Sequence, residues 1–222
     1  MTSKGFRDSL LRRARNVGLH VPDELASRLE AYMSFLAKWN AKINLTALPL
    51  APPTNETFDR LLIEPLLAAQ HAGQVAGAWF DLGSGGGSPG LPMKAVLLET
   101  PLTMVESKVR KAVFLREAVS ATHVVGAHVE NERFEDVARL NPNTAELVTV
   151  RAVRVDATLT SVVSQLLAPR GRLFLFRPVG RHLALRGLDH VETIDLVGER
   201  GSVLSVYRRM FHVEHKGENT EI

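Results

Sequence analysis

The sequence predicts an α/β protein, a doubly wound and mostly parallel sheet with an N-terminal helical extension. Three observations carry this reading. Apolar residues in the first seventy positions recur three or four apart, which marks amphipathic helices. After Gly77 short apolar or β-branched runs alternate with helical segments, as βαβ units require. The first of those runs leads directly into a loop with five glycines in eight residues, Gly83 to Gly90.

In chain order, Phe6, Leu10, Leu11, Ala14 and Val17 fall at helical spacing and Gly18 is placed to stop a short basic helix over 3–17. Asp23 opens a second helix, in which Leu25, Leu29, Tyr32, Met33, Leu36 and Trp39 share a face that must be buried. Pro49, Pro52 and Pro53 exclude a helix through 48–53; a third is expected over about 55–72, kinked or interrupted at Pro65. Strands are then expected at 78–82, 102–106, 124–129, 147–150 and 172–176, with helices near 92–98, 109–122, 134–140 and 159–167. The runs at 191–197 and 203–207 read as a hairpin around Gly198-Glu199-Arg200-Gly201, so the sheet should finish on an antiparallel edge strand. The organisation predicted is a helical extension over 1–76, a ligand-binding sheet domain over 77–209 and a loose polar tail over 210–222.

Composition narrows the function. A chain of 222 residues, 45% apolar and 23% charged, excludes disorder and a large multidomain machine. The absence of cysteine excludes disulfides, thiolate metal sites and every cysteine nucleophile. A net charge of +3 permits a polyanionic partner without demanding one. The first ten residues lack the apolar centre of a signal peptide, and no apolar run reaches about 18 residues, so a soluble cytoplasmic protein with no membrane role is expected. Outside His212 and His215 in the tail, the histidines show no metal-ligand spacing, and no metal is expected.

The loop Asp81-Leu82-Gly83-Ser84-Gly85-Gly86-Gly87-Ser88-Pro89-Gly90 lets a ligand approach the backbone closely. Two cofactor classes compete for it. Gly85, Gly87 and Gly90 satisfy the dinucleotide spacing, in which a pyrophosphate rests on a helix N-terminus. Pro89 and Pro92, however, should postpone the helix to about residue 92, and the acidic Asp81 suits a ligand with a cationic end. S-adenosylmethionine has an amino group and a sulfonium but no phosphate, so the local arguments favour it over a nicotinamide dinucleotide. Glu106, at the end of the second strand, is placed to accept from ribose hydroxyls in either class.

With these residues on the page, the chain resembles a known family over about residues 10 to 207: the ribosomal RNA small subunit methyltransferases G, also called glucose-inhibited division protein B. The resemblance rests on Lys38-Trp39-Asn40-Ala41-Lys42-Ile43-Asn44-Leu45-Thr46, on the Asp81-to-Pro92 loop with its Ser88-Pro89-Gly90-Leu91-Pro92 ending, and on Glu106-Ser107 followed by Lys111 and Phe114-Leu115-Arg116. It implies a Rossmann-like class I methyltransferase that uses S-adenosylmethionine to form 7-methylguanosine in 16S ribosomal RNA, acting on the RNA or on the small-subunit particle. It also implies roles: Asp81 near the cofactor's amino group, Gly83 and Ser88 along its methionine and ribose, Glu106 on the ribose, and Asn131 and Glu132 flanking the adenine, with Gly85 also counted among the cofactor-binding residues. Arg151, in Val150-Arg151-Ala152 at the end of the fourth strand, is the candidate catalytic residue and also a cofactor-rim residue. Three positions depart from the family pattern. This chain reads Leu61-Leu62-Ile63-Glu64-Pro65 where His-Ile-Leu-Asp-Ser is usual, Ser88 where a large apolar residue is usual, and Arg177-Pro178 where Lys-Gly is usual.

The chemistry agrees with the residue inventory. Nitrogen 7 of guanine carries a free lone pair and loses no proton on attack, so positioning suffices and no general base is needed. Methylation of pyrimidine carbon 5 needs a thiol adduct and is excluded by the missing cysteine. Arg151 has a structural alternative, pairing with Asp156 or a loop carbonyl, and Arg154 is equally able to serve. Lys4, Arg7, Arg12, Arg13, Arg15, Lys38 and Lys42 are candidates for phosphate contacts or a solvated face, and Trp39 reads as core rather than a stacking platform. The alternative functions are a small-molecule methyltransferase of the same fold, a non-catalytic S-adenosylmethionine or RNA-binding module, and an NAD oxidoreductase.

Overall fold

The computed structural model describes residues 2–180, 183–197 and 202–210. The first two helices form where the apolar spacing puts them: α1 (Ser3–Asn16) buries Phe6, Leu10 and Ala14, and α2 (Asp23–Asn40) buries Ala26, Leu29, Tyr32, Met33 and Leu36. Thr2 caps α1 by accepting from the Gly5 N–H. Part of the basic face of α1 turns inward, contrary to a uniform RNA-facing stripe. Arg7 pairs with Glu30 at 3.2 Å and Arg13 pairs with the buried Asp59, while Lys4, Arg12 and Arg15 stay exposed.

The third helix is interrupted, as Pro65 requires. It runs as α3 (Asn55–Phe58), a π-helical turn (Asp59–Ile63) and α4 (Glu64–Ala72), started by a capping box between Thr54 and Thr57. The Glu64 N–H bonds to Asp59 O, five residues back, so Arg60 O loses its α-helical donor. Pro65 has no N–H, so Leu61 O loses its donor as well. These two carbonyls reappear in the site below.

The sheet comprises β1 (Ala78–Leu82), β2 (Leu102–Val105), β3 (Ala127–Glu130), β4 (Ala145–Arg151), β5 (Leu167–Pro178), β6 (Leu188–Leu196) and β7 (Ser202–Arg209), in the order β3-β2-β1-β4-β5-β7-β6. Strands β1 to β5 are parallel, and α5 (Gly90–Lys94), α6 (Val109–Thr122), α7 (Phe134–Leu140) and α8 (Ala157–Leu166) supply the crossovers. The hairpin is present, but its antiparallel strand is β7, one in from the edge. Burial explains the order: β7 is buried from Ser202 to Tyr207, whereas β6 exposes Asp189, Glu192 and Asp195, charges that suit an edge. The hairpin turn at 198–201 and, beyond Met210, the expected loose tail lie outside the described residues.

Several boundaries differ from expectation: β5 starts at Leu167, five residues before the expected 172, and β6 at Leu188, three before 191, while two other differences have a local cause. β3 starts at Ala127, three residues late, because His123 ends α6 in the left-handed region (φ 52°) and Gly126 (φ 70°) turns the chain again. α5 spans 90–94 rather than 92–98. Pro92 sits in its first turn, where the missing N–H would have found no helical partner anyway. Beyond it the chain leaves the helix, and the ammonium of the fully buried Lys94 takes the carbonyls of Leu97, Leu98 and Thr100 at 3.3, 2.6 and 2.6 Å.

Alternation along the strands divides the core between the two faces of the sheet. Trp79, Leu102 and Phe174 pack with Phe6, Leu10, Leu29 and Leu62 of the helical extension, and with Phe114 of α6. Phe80, Val148 and Tyr207 pack on the other face with Val137 of α7 and Val163 of α8. The extension therefore shares a hydrophobic cluster with the sheet. Among the described residues no helix is long and apolar enough to cross a membrane.

Candidate functional site

Strand order reverses between β1 and β4, and in open α/β sheets ligands bind beyond the C-terminal strand ends at such a point. A cavity of about 470 Å³ opens there, a size typical of small-molecule sites. Gly83 to Gly86 and Ser88 line it from the loop after β1, Glu106 from the end of β2, and Arg151 and Ala152 from the end of β4. The extension closes it with Leu36, Leu45 to Leu48, Arg60 and Leu61.

The loop is shaped by its own bonds. Gly83 takes φ 71° and a Cβ there would lie 2.6 Å from Val153, so only glycine fits between β1 and the β4 exit. Gly85 N–H donates to Glu106 Oε2 at 3.0 Å, and Lys108 N–H donates to Oε1 at 2.8 Å. Each carboxylate oxygen keeps a second lone pair, so Glu106 is fixed in place and can still accept from a diol. At the far end Gly90 lets Asp81 approach: a Cβ there would sit 2.8 Å from Asp81 Oδ2.

The helix after this loop is a poor phosphate cradle. It begins at Gly90, earlier than expected, yet Leu91 N–H is committed to Gly87 O, and Pro89 and Pro92 have no N–H at all. The reason differs from the postponed helix that the sequence suggested; the consequence for a pyrophosphate is the same.

Asp81 stands behind the loop rather than in the cavity wall. It is 1% exposed; Thr149 Oγ1 donates to its Oδ1 at 2.6 Å and accepts from Trp79 Nε1 at 2.9 Å, while Oδ2 has no partner among the described residues. Burial pushes its pKa up to about 6, against the bond from Thr149. Asn131 lies one layer back, donating to Glu106 O at 2.8 Å, and Glu132 lines a separate cavity with Asp136 and Arg139. The structure thus brings Gly83, Gly85, Ser88, Glu106 and Arg151 together around one cavity and keeps Asp81, Asn131 and Glu132 out of its lining.

Arg151 is held from several sides. Its Nη2 donates to Glu64 Oε2 at 2.5 Å, its Nη1 donates to Arg60 O and lies 3.4 Å from Ser88 Oγ, and its Cζ is 4.2 Å from the Phe176 ring centroid. Ser88 Oγ in turn donates to Leu61 O at 3.1 Å. The two carbonyls that the π turn and Pro65 leave without helical donors are therefore the two that receive Arg151 and Ser88. Asp156, the partner weighed for Arg151 from sequence, instead caps α8 by accepting from Leu159 N–H. Burial lowers the Arg151 pKa to about 10 and raises that of Glu64, each opposed by the other's charge. Arg154 is exposed.

Sequence reasoning missed three contributors. Tyr32 was legible only as a buried helix position, yet its hydroxyl donates to Gly86 O at 2.7 Å and pins the glycine loop to α2. Asn40 accepts from Leu45 and Thr46 N–H at 2.9 and 3.0 Å and donates to Thr46 O at 3.2 Å, folding the loop that closes the cavity; its place in the Lys38-to-Thr46 segment was the signal. Glu64 was visible only as an acid in a divergent segment. Trp39 packs against Phe35 and Phe114, as a core residue should.

Comparison with known proteins gives the same outline. A family profile described as GidB, rRNA small subunit methyltransferase G, matches residues 25–206. The ribosomal RNA small subunit methyltransferase G of Xanthomonas axonopodis pv. citri (strain 306) is 33% identical over 165 residues, 73% of this chain and 74% of that one. The protein of the same name from Roseiflexus castenholzii (strain DSM 13941 / HLO8) is 33% identical over 205 residues, 86% of each chain. Among solved structures, a SAM dependent methyltransferase from Aquifex aeolicus superposes with TM-score 0.56 at 10% identity, covering 79% of this chain and 98% of the other. P. horikoshii TYW2 in complex with MeSAdo superposes at 0.55 with 14% identity, covering 76% and 65%. At such identities these two speak for the fold alone. The profile and the curated relatives decide the family: the chain belongs to the rRNA small subunit methyltransferase G family.

Proposed function

We propose that the protein transfers a methyl group from S-adenosylmethionine to nitrogen 7 of a guanine in 16S ribosomal RNA, as naked RNA or within the small-subunit particle, in the cytoplasm. The observation that carries the cofactor half is the cavity at the β1/β4 switch point, where Glu106 is fixed by Gly85 and Lys108 and the first turn of the following helix has its Leu91 and Met93 N–H groups committed and none at Pro92. A carboxylate for a ribose diol beside a phosphate-poor backbone fits this nucleoside and disfavours a dinucleotide. Family membership carries the substrate half.

When bound, the cofactor supplies an electrophilic methyl carbon to the guanine lone pair, and the electrons of the broken carbon–sulfur bond stay on sulfur. The protein's part is placement. Gly83 and Gly85 let the backbone approach the nucleoside, Glu106 holds its ribose, and Tyr32 and Asn40 keep the two loops that frame it in register. Leu36, Leu45 and Leu48 give the cavity wall an apolar side against which bound ligand can displace water. Asp81 supplies negative charge behind the loop for the cofactor's ammonium end. Arg151 faces the base or a flanking phosphate from the rim of β4. Nitrogen 7 loses no proton, so no side chain has to act as a base.

The test is transfer of labelled methyl to small-subunit RNA from cells lacking this enzyme, followed by nucleoside digestion. Label in 7-methylguanosine is the expected result. Label in another nucleoside, in protein or in a metabolite would overturn the substrate assignment. Running deproteinised RNA beside assembled particles identifies the form recognised.

A further inference from the structure

Methyl transfer to nitrogen 7 leaves the guanine cationic, because the ring gains a methyl and gives up no proton. An uncompensated guanidinium beside the reacting base would oppose that step. Arg151 stands at the rim of the cavity, which Arg60 and Lys111 also line, with only 11% of its side chain exposed, and the chain meets it with a carboxylate that is itself fully buried. Glu64 Oε2 lies 2.5 Å from Arg151 Nη2, and Arg60 Nη1 stands 3.9 Å from the other carboxylate oxygen. The backbone completes the clamp. Because Glu64 N–H turns back to Asp59 O, Arg60 O is available and takes Arg151 Nη1; Phe176 covers the guanidinium face at 4.2 Å.

From this arrangement we infer that Glu64 is a positioning residue for methyl transfer, holding the Arg151 guanidinium in one orientation and supplying the negative charge that lets it stand beside a base becoming cationic. The inference rests on the proposed function, in which Arg151 faces the target base. Glu64 does not line the cavity, so it acts through Arg151 and not on the substrate directly. Its role divides into charge and geometry, and the two are separable. A glutamine keeps the shape and an oxygen acceptor but removes the counter-charge; an aspartate keeps the charge and shortens the reach by one methylene.

The experiment compares Glu64→Gln, Glu64→Asp, Arg151→Ala and the unaltered full chain in single-turnover methyl transfer to small-subunit RNA. S-adenosylmethionine affinity by calorimetry and the thermal midpoint are measured on each, and all rates are taken well below the lowest midpoint. Glu64→Gln is expected to lose about 10- to 100-fold in the transfer rate while its cofactor affinity stays within about 3-fold. Glu64→Asp is expected to recover most of the rate. A Glu64→Gln variant with the unaltered rate, alongside an inactive Arg151→Ala, would overturn the inference and leave the proposed function standing. Equal losses of rate and cofactor affinity in Glu64→Gln, unrelieved in Glu64→Asp, would overturn it as well, because a collapsed site and not a missing counter-charge would then be the cause. Full activity in Arg151→Ala would remove the reading on which it rests.

Discussion

Replacing Asp81 with asparagine should flatten the pH dependence of stability. Asp81 is 1% exposed, and burial holds its pKa at about 6 in the folded chain against an ordinary 3.8. Between those values the folded state binds the proton and the unfolded state does not, so stability falls as pH rises through the window. At 1.36 kcal/mol per pKa unit the full cost is about 3 kcal/mol by pH 8, and roughly half of it is lost between pH 5 and pH 8. Asparagine keeps an oxygen for Thr149 Oγ1 and has no charge to acquire. Urea unfolding of both proteins at pH 5 and pH 8 isolates the effect, since every other carboxylate is common to the pair. The native chain should lose on the order of 1 kcal/mol more than Asp81→Asn over that interval. Parallel profiles would refute the reasoning, for they would mean that Asp81 ionises in the folded chain as easily as in water.

Two further substitutions probe the supports around the site. Tyr32→Phe removes the 2.7 Å bond that pins Gly86 O in the cavity wall to α2, so stability should fall by about 1 kcal/mol and cofactor affinity by about 5- to 10-fold, read by urea melts and calorimetry. Lys94→Met fills the same fully buried space but strips the donors from the Leu97, Leu98 and Thr100 carbonyls; a loss of about 3 kcal/mol in urea melts is expected, with cofactor affinity at 20 °C unchanged.

Periodicity made the helices and the strand alternation legible, because burial of one face leaves a repeating trace: α6 and α7 begin and end where their apolar spacing says. The glycine loop and the place of Glu106 beside it were legible because close backbone approach restricts residue type and Glu106 directly follows the second strand. Features made by distant groups meeting left little trace. The strand order of the final hairpin depends on which strand is buried on both faces, and two short apolar runs do not state that. Tyr32 looks like any other core position until its hydroxyl is seen to reach fifty-four residues along the chain to Gly86. Pro65 announced a broken helix, but only the fold shows that the two carbonyls it and the π turn release are taken by Ser88 and Arg151. The inward pairing of Arg13 with Asp59 was hidden for the same reason, since a basic helix reads alike whichever side it buries.

The central claim is that the cavity beyond β1 and β4 holds S-adenosylmethionine through the glycine loop. Calorimetric titration of the full chain and of Gly83→Val with that compound tests it directly, because a side chain at Gly83 must collide with Val153 and distort the loop. Saturable binding at one site per chain, abolished in Gly83→Val while the variant remains folded by circular dichroism, is the predicted result. Absence of binding by the native chain, or undiminished binding by the variant, would contradict the account.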